Sequence, residues 1–93
     1  MPEIRHTKQF KRDFKRELRG RHGSSVATEL HAVANALVAG NALPARYFDH
    51  ALSGEWKDHR DCHLRPDLVL IYRRDEDGTL ALVRLGSHSE LGL

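Results

Sequence analysis

Three imidazoles, a carboxylate and a guanidinium are spread through the C-terminal half of the chain. They are His50 in Asp49-His50, His63 and Asp67 in His63-Leu64-Arg65-Pro66-Asp67, Arg84 in Arg84-Leu85-Gly86, and His88 in Ser87-His88-Ser89-Glu90-Leu91. These side chains suffice to cut RNA without a metal. A ribose 2′-hydroxyl attacks the adjacent phosphorus while a general base takes its proton. A general acid then protonates the departing 5′-oxygen, and a cation stabilises the charge on the non-bridging oxygens. Histidine suits both proton roles because its unperturbed pKa is about 6.5. A carboxylate base exposed to water is weak, so Asp67 in that role needs a raised pKa or a partner imidazole. Taken singly, each residue has a plainer explanation. Asp67 can cap a tight turn, Arg84 can be an edge residue with its head in water, Asp49-His50 can be an ordinary loop pair, and His88 can be C-terminal surface.

The elements that must position these groups are legible from periodicity. Residues 3–6 are expected as a short first strand. Residues 8–20 are expected as a helix, with Phe10, Phe14 and Leu18 on one stripe, basic residues on the other faces, and Gly20 and Gly23 as its stop. A second helix is expected from Ser25 to Ala39, capped by Ser24 or Ser25 and stopped by Gly40, with Val26, Leu30, Val33, Leu37 and Val38 buried. His31 lies near that stripe and is expected at the surface or in helix packing. After an irregular stretch from Leu43 to Gly54, three strands follow: Trp56 to Leu64, Asp67 to Arg73, and Thr79 to Leu85. Arg65-Pro66 and Asp75-Glu76-Asp77-Gly78 make the turns between them, and the Asp-Gly pair is a strong hairpin signal. In the last strand Ala81, Val83 and Leu85 are expected on one face and Leu80, Leu82 and Arg84 on the other. The fold class is therefore α+β: two helices on one face of a small, twisted, mainly antiparallel sheet, with the other face open to a ligand. Trp56, Tyr72 and Cys62 are expected in the core, and Cys62 points away from His63 because neighbouring strand residues face opposite ways.

With 93 residues the chain is long enough for one domain, spanning residues 1–93. The single cysteine rules out an internal disulfide and fits a reducing cytosol. No long apolar run suggests a signal peptide or membrane span, so a cytoplasmic protein without membrane contact is expected. Net charge is only +2, but residues 1–22 hold eight Lys/Arg against three acids, and the remainder holds seven against ten. A basic segment ahead of a mildly acidic body favours a polyanion contact driven by counterion release.

Order and spacing carry more information than any single residue. The stretches Asp49-His50-Ala51-Leu52-Ser53-Gly54, Trp56-Lys57, Arg60-Asp61-Cys62-His63, Pro66-Asp67, Leu70-Ile71-Tyr72 and Arg84-Leu85-Gly86-Ser87-His88-Ser89-Glu90-Leu91 resemble the YafQ branch of the RelE/ParE superfamily of bacterial type II toxins. The resemblance implies a small RelE-like fold, ribosome-dependent cleavage of mRNA in the A site, and neutralisation by a cognate antitoxin. It implies that His50, His63, Asp67 and His88 serve the cleavage and that Arg84 holds or stabilises phosphate. In that scheme His88 is the general acid, Asp67 or His50 the base, and His63 the residue that positions ribose or phosphate. The exposed cations Lys8, Lys11 and Lys15 of the first helix, with Lys57, Arg60 and Arg65, would contact ribosomal RNA and mRNA. Family members usually carry an aromatic residue after the last histidine, where it can stack on a base. This chain ends Leu91-Gly92-Leu93 instead.

Three other functions fit parts of the pattern. A toxin of the ParE kind has the same fold and inhibits DNA gyrase by binding alone, but has no need of the histidine set. A zinc site from His50, His63, Asp67 and His88 would have three nitrogens and one oxygen. However, no two of these ligands are closely spaced, and the Arg84 cation would oppose a metal, so no metal or other cofactor is expected. A small antitoxin-like binding module usually carries a disordered tail, whereas disorder is expected here only at the termini.

Overall fold

The structure, a computed structural model, describes residues 3–20 and 23–93. Strand β1 (Ile4–His6) leads into helix α1 (Lys8–Leu18), which is followed by helix α2 (Gly23–Val38). A short 3₁₀ turn at Ala45–Tyr47 precedes strand β2 (His50–Ala51), and another at Gly54–Trp56 precedes β3 (Arg60–Arg65). Strands β4 (Leu68–Arg74) and β5 (Leu80–Gly86) and helix α3 (His88–Leu91) complete the chain. The five strands form one sheet in the order β1-β5-β4-β3-β2. All neighbours pair antiparallel except β1 with β5, which run parallel.

Helix α1 starts where the Thr7 side chain accepts from the Phe10 N–H at 3.0 Å, a standard N-cap. Thr7 also donates its hydroxyl to the Val83 carbonyl at 2.8 Å, which docks the helix start on β5. Helix α2 begins at Gly23, two residues before the expected Ser25. There the bare Cα packs so tightly that an added Cβ would lie 2.2 Å from the Leu18 carbonyl oxygen. Phe10, Val26, Leu30, Val33 and Leu37 from the helices meet Cys62, Leu64, Leu70, Tyr72, Leu80, Leu82 and Leu85 from the sheet, forming the main core. Leu18, expected on the buried stripe, is 44% exposed, and α1 instead buries the charged Asp13.

The strand expected from Trp56 begins only at Arg60, because Asp58 takes a left-handed conformation (φ 70°) that breaks the extended chain. The opposite sheet face is also less open than expected. Val69, Ile71 and Leu91 form a second apolar cluster there, covered by Leu52, Trp56 and Val83. The alternation expected in the last strand changes phase partway. Ile71 pairs with Arg84 but Tyr72 pairs with Leu82, so a bulge inserts one residue between them. Leu80, Leu82 and Leu85 therefore share the main core, while Val83 faces the second cluster.

Cys62 is fully buried in the main core, and burial pushes its thiol up to about 12. A thiol this hard to ionise is inert. The folded protein is expected to resist alkylation by iodoacetamide at pH 8 and to react once urea unfolds it, as mass spectrometry would read.

Candidate active site

Strand register explains why residues distant in sequence meet. Val69 of β4 pairs with Gly86 of β5, so continuing the register two residues beyond that pair places Asp67 opposite His88. Asp67 Oδ1 accepts the His88 backbone N–H at 3.0 Å and lies 2.6 Å from His88 Nδ1. The backbone N–H and the imidazole together hold the Asp67 carboxyl below the usual carboxylate range. Asp67 is therefore an ionised acceptor at neutral pH, which assigns the proton on the facing nitrogen to Nδ1 and leaves Nε2 as the outward ring atom. Asp67 thus has a partner imidazole, and its pKa moves down rather than up.

His63 of β3 pairs across from Val69, on the same sheet face. Its ring lies edge-on to His88 with centroids 5.0 Å apart. His50 of β2 pairs with Asp61 of β3. Its Nδ1 lies 2.7 Å from the Phe48 carbonyl and 3.0 Å from Asp61 Oδ1, so Nδ1 carries the proton and Nε2 is again the exposed nitrogen. Asp61 is only 2% exposed. Burial pushes its carboxyl up, and the charges of His50, His63 and His88 act against that shift. A buried acid facing three imidazoles is part of the site. Strand alternation already hinted at it, since Asp61 and His63 are two apart and share the face that Cys62 leaves.

The short helix α3 fixes His88. Ser87 caps it and accepts from Glu90 N, while the Glu90 side chain accepts from Ser87 N, a complete capping box. From the other end, Trp56 Nε1 donates to the Leu91 carbonyl at 3.4 Å. Trp56 is thus a support under the site and is half-buried.

Arg84 is held differently from the histidines. Its Nε donates to Asp13 Oδ2 at 2.8 Å and its Nη2 reaches Asp13 Oδ1 at 3.4 Å, so its guanidinium is engaged by helix α1. Beside His63 opens a cleft of about 500 Å³ lined by Arg46, Tyr47, Phe48, Arg65 and Pro66. Arg65 is tied to Ser25 and Glu29 of α2 and Arg60 to Asp49 at 3.2 Å, while Lys57 is exposed. Lys8, Lys11 and Lys15 are exposed on α1, away from the histidine face. Arg46 was not among the expected cations, and no spacing in the sequence singles it out. Among the described residues no three His, Cys, Asp or Glu side chains are arranged to hold a metal ion, and no helix is long and apolar enough to cross a membrane.

Comparison with known proteins identifies relatives of the chain. The sequence family described as bacterial toxin of type II toxin–antitoxin system, YafQ, matches residues 2–92. A Haemophilus influenzae protein that carries the YafQ toxin name is 43% identical over 98% of this chain and 92% of its own length. The mRNA interferase toxin YafQ of Escherichia coli K12 is 49% identical over 53% of this chain and 52% of its own length. The crystal structure of the E. coli DinJ–YafQ complex superposes with a TM-score of 0.82 at 32% identity, over 98% of both chains.

Proposed function

The chain belongs to the family of bacterial YafQ toxins of type II toxin–antitoxin systems, and from that premise we propose that it is an endoribonuclease that cuts mRNA in the ribosomal A site and is silenced by a cognate antitoxin. The observation that carries the reading is the Asp67–His88 pair, 2.6 Å apart, with the His63 ring against it. Relatives lend the rest: the YafQ toxin of E. coli K12 is named an mRNA interferase, and E. coli YafQ was crystallised in a toxin–antitoxin complex with DinJ.

In this reaction His88 is the general acid. Its Nδ1 proton is held by Asp67, and Nε2 delivers a proton to the departing 5′-oxygen. Asp67, kept ionised and bonded to His88, orients that ring. His50 then serves as base through Nε2, anchored by its bond to the Phe48 carbonyl, and His63 positions the ribose or phosphate. Arg84 keeps Nη1 for a phosphate oxygen while Asp13 holds the rest of its fork, and Arg65, Arg60 and Lys57 meet flanking phosphates. Lys8, Lys11 and Lys15 meet ribosomal RNA further out. The ribosome presents one extended strand to these groups, and free RNA is cut poorly.

Attack by a 2′-hydroxyl leaves a 2′,3′-cyclic phosphate on one product and a 5′-hydroxyl on the other. An mRNA carrying a single 2′-deoxyribose immediately before the cut is therefore expected to survive at that position while other sites are still cut. Cleavage there at the ordinary rate would exclude 2′-hydroxyl attack.

A further inference from the structure

We infer that Phe48 is the stacking platform for a nucleobase flanking the scissile phosphate. The inference deepens the nuclease reading above and rests on it. Four observations converge on this residue. First, the chain has six Phe, Trp and Tyr residues, and among them Phe48 alone is an exposed large side chain, at 65%. The other five lie in or against the two apolar clusters. Leaving a phenyl ring in water forgoes the gain of burying it. Second, its position is built. Phe48 takes a left-handed conformation, φ 50°, which side chains other than glycine rarely adopt. The turn holds it there from both ends: its N–H donates to the Ala45 carbonyl at 3.0 Å and its carbonyl lies 2.7 Å from His50 Nδ1. Strain of this kind persists where the surroundings impose it, most often at functional sites. Third, the ring is aimed at the chemistry, with its centroid 5.6 Å from that of His63. Fourth, it shares the cleft beside His63 with Arg46 and with Arg65, the latter paired to Glu29 at 3.4 Å. An aromatic face beside cations is the arrangement that binds single strands without needing their sequence.

The segment Ser89-Glu90-Leu91-Gly92-Leu93 holds no ring for stacking. Leu91 is buried under the sheet. Phe48 reaches the site beside His63, ahead of His50 in the chain, and supplies a flat apolar surface there. The same short segment thus places a platform at Phe48 and a base at His50, two residues apart, so that a stacked nucleotide and its 2′-hydroxyl are oriented together.

The test compares wild type, Phe48→Leu and Phe48→Trp in single-turnover cleavage of a defined mRNA on purified 70S ribosomes, with melting temperatures measured alongside. Leucine keeps the apolarity and the backbone strain but removes the aromatic face. Phe48→Leu is expected to melt like wild type and to cleave about 10- to 100-fold more slowly, as loss of one stacked base implies. The loss should fall in kcat more than in KM, since it misplaces a bound strand. Phe48→Trp should retain the wild-type rate. Leucine cleaving as fast as wild type, or tryptophan failing as badly as leucine, would overturn the stacking role alone. No cleavage by wild type would overturn the nuclease reading and this inference with it.

Discussion

Replacing Asp13 with alanine is expected to lower the unfolding free energy by about 3–5 kcal/mol, the usual cost of breaking a buried charge pair from one side. Asp13 is fully buried. Its Oδ2 accepts from Arg84 Nε at 2.8 Å and from the Leu85 N–H at 3.0 Å, and its Oδ1 is approached by Gln9 and Arg16. Truncation would leave Arg84 partly desolvated and the Leu85 N–H without an acceptor. Against a total stability of roughly 5–15 kcal/mol for a domain of this size, the variant should be near the edge of folding. A urea titration reads the shift directly, and a midpoint within error of wild type would show the network to be idle. The network also sets the response to acid. Burial alone would push the Asp13 carboxyl up, but the Arg84 hydrogen bond, the Leu85 N–H and Gln9 outweigh it and hold the pKa below the usual value. A depressed folded pKa contributes stability that is present above the unfolded value of about 4 and is lost as pH falls through the lower folded value. Wild type should therefore lose stability steeply below about pH 4, and Asp13→Asn should lack that component. Because Arg84 is bound into this network, a loss of cleavage in Arg84→Ala would report on folding as well as on phosphate.

Replacing His88 with alanine is expected to slow cleavage by roughly 10²- to 10⁴-fold, the usual contribution of a general acid, with little change in melting temperature. The fold does not depend on the imidazole. The His88 N–H still reaches Asp67, the Ser87–Glu90 capping box is untouched, and Leu91 still anchors α3. Asp67→Asn should cost less than His88→Ala, because the amide oxygen can still accept the backbone N–H and the His88 ring stays in place to transfer the proton. Equal and small losses in both variants would remove these two residues from proton transfer. Growth arrest on expression in cells reads the same ranking.

The main hairpin was legible because local chemistry and packing agree there. Asp77-Gly78 demands a tight turn, and Leu68 to Tyr72 is too apolar to be anything but central strand. Helix α2 was equally plain from Val26, Leu30, Val33 and Leu37. Asp13 was not legible. An acid that follows Lys11 and Arg12 and precedes Lys15 and Arg16 reads as solvent-facing, and the partner that buries it, Arg84, lies 71 residues away. The bulge opposite Ile71 was invisible for a related reason. An alternating strand looks the same whether or not one residue slips, and only the fit against β4 selects the slip. Helix α3 is a different case. Ser87-His88-Ser89-Glu90 has the spacing of a capping box, but four residues are too few for helical periodicity, so the segment resembles plain surface. The histidines and Asp67 were singled out by residue type, and strand register is what places His63, Asp67 and His88 together. Asp61 escaped notice because an acid between Arg60 and Cys62 reads as an ordinary surface partner for arginine, whereas it lies under the imidazoles.

The most direct test of the central claim is primer extension on a defined mRNA incubated with purified 70S ribosomes and either this protein or its His88→Ala variant, with ribosome-free mRNA in parallel. New 5′ ends are expected at A-site codons with wild type on ribosomes, few on free mRNA, and almost none with His88→Ala. Absence of cuts with wild type, in a protein that still arrests growth when expressed, would contradict the claim and point to a toxin that acts by binding alone.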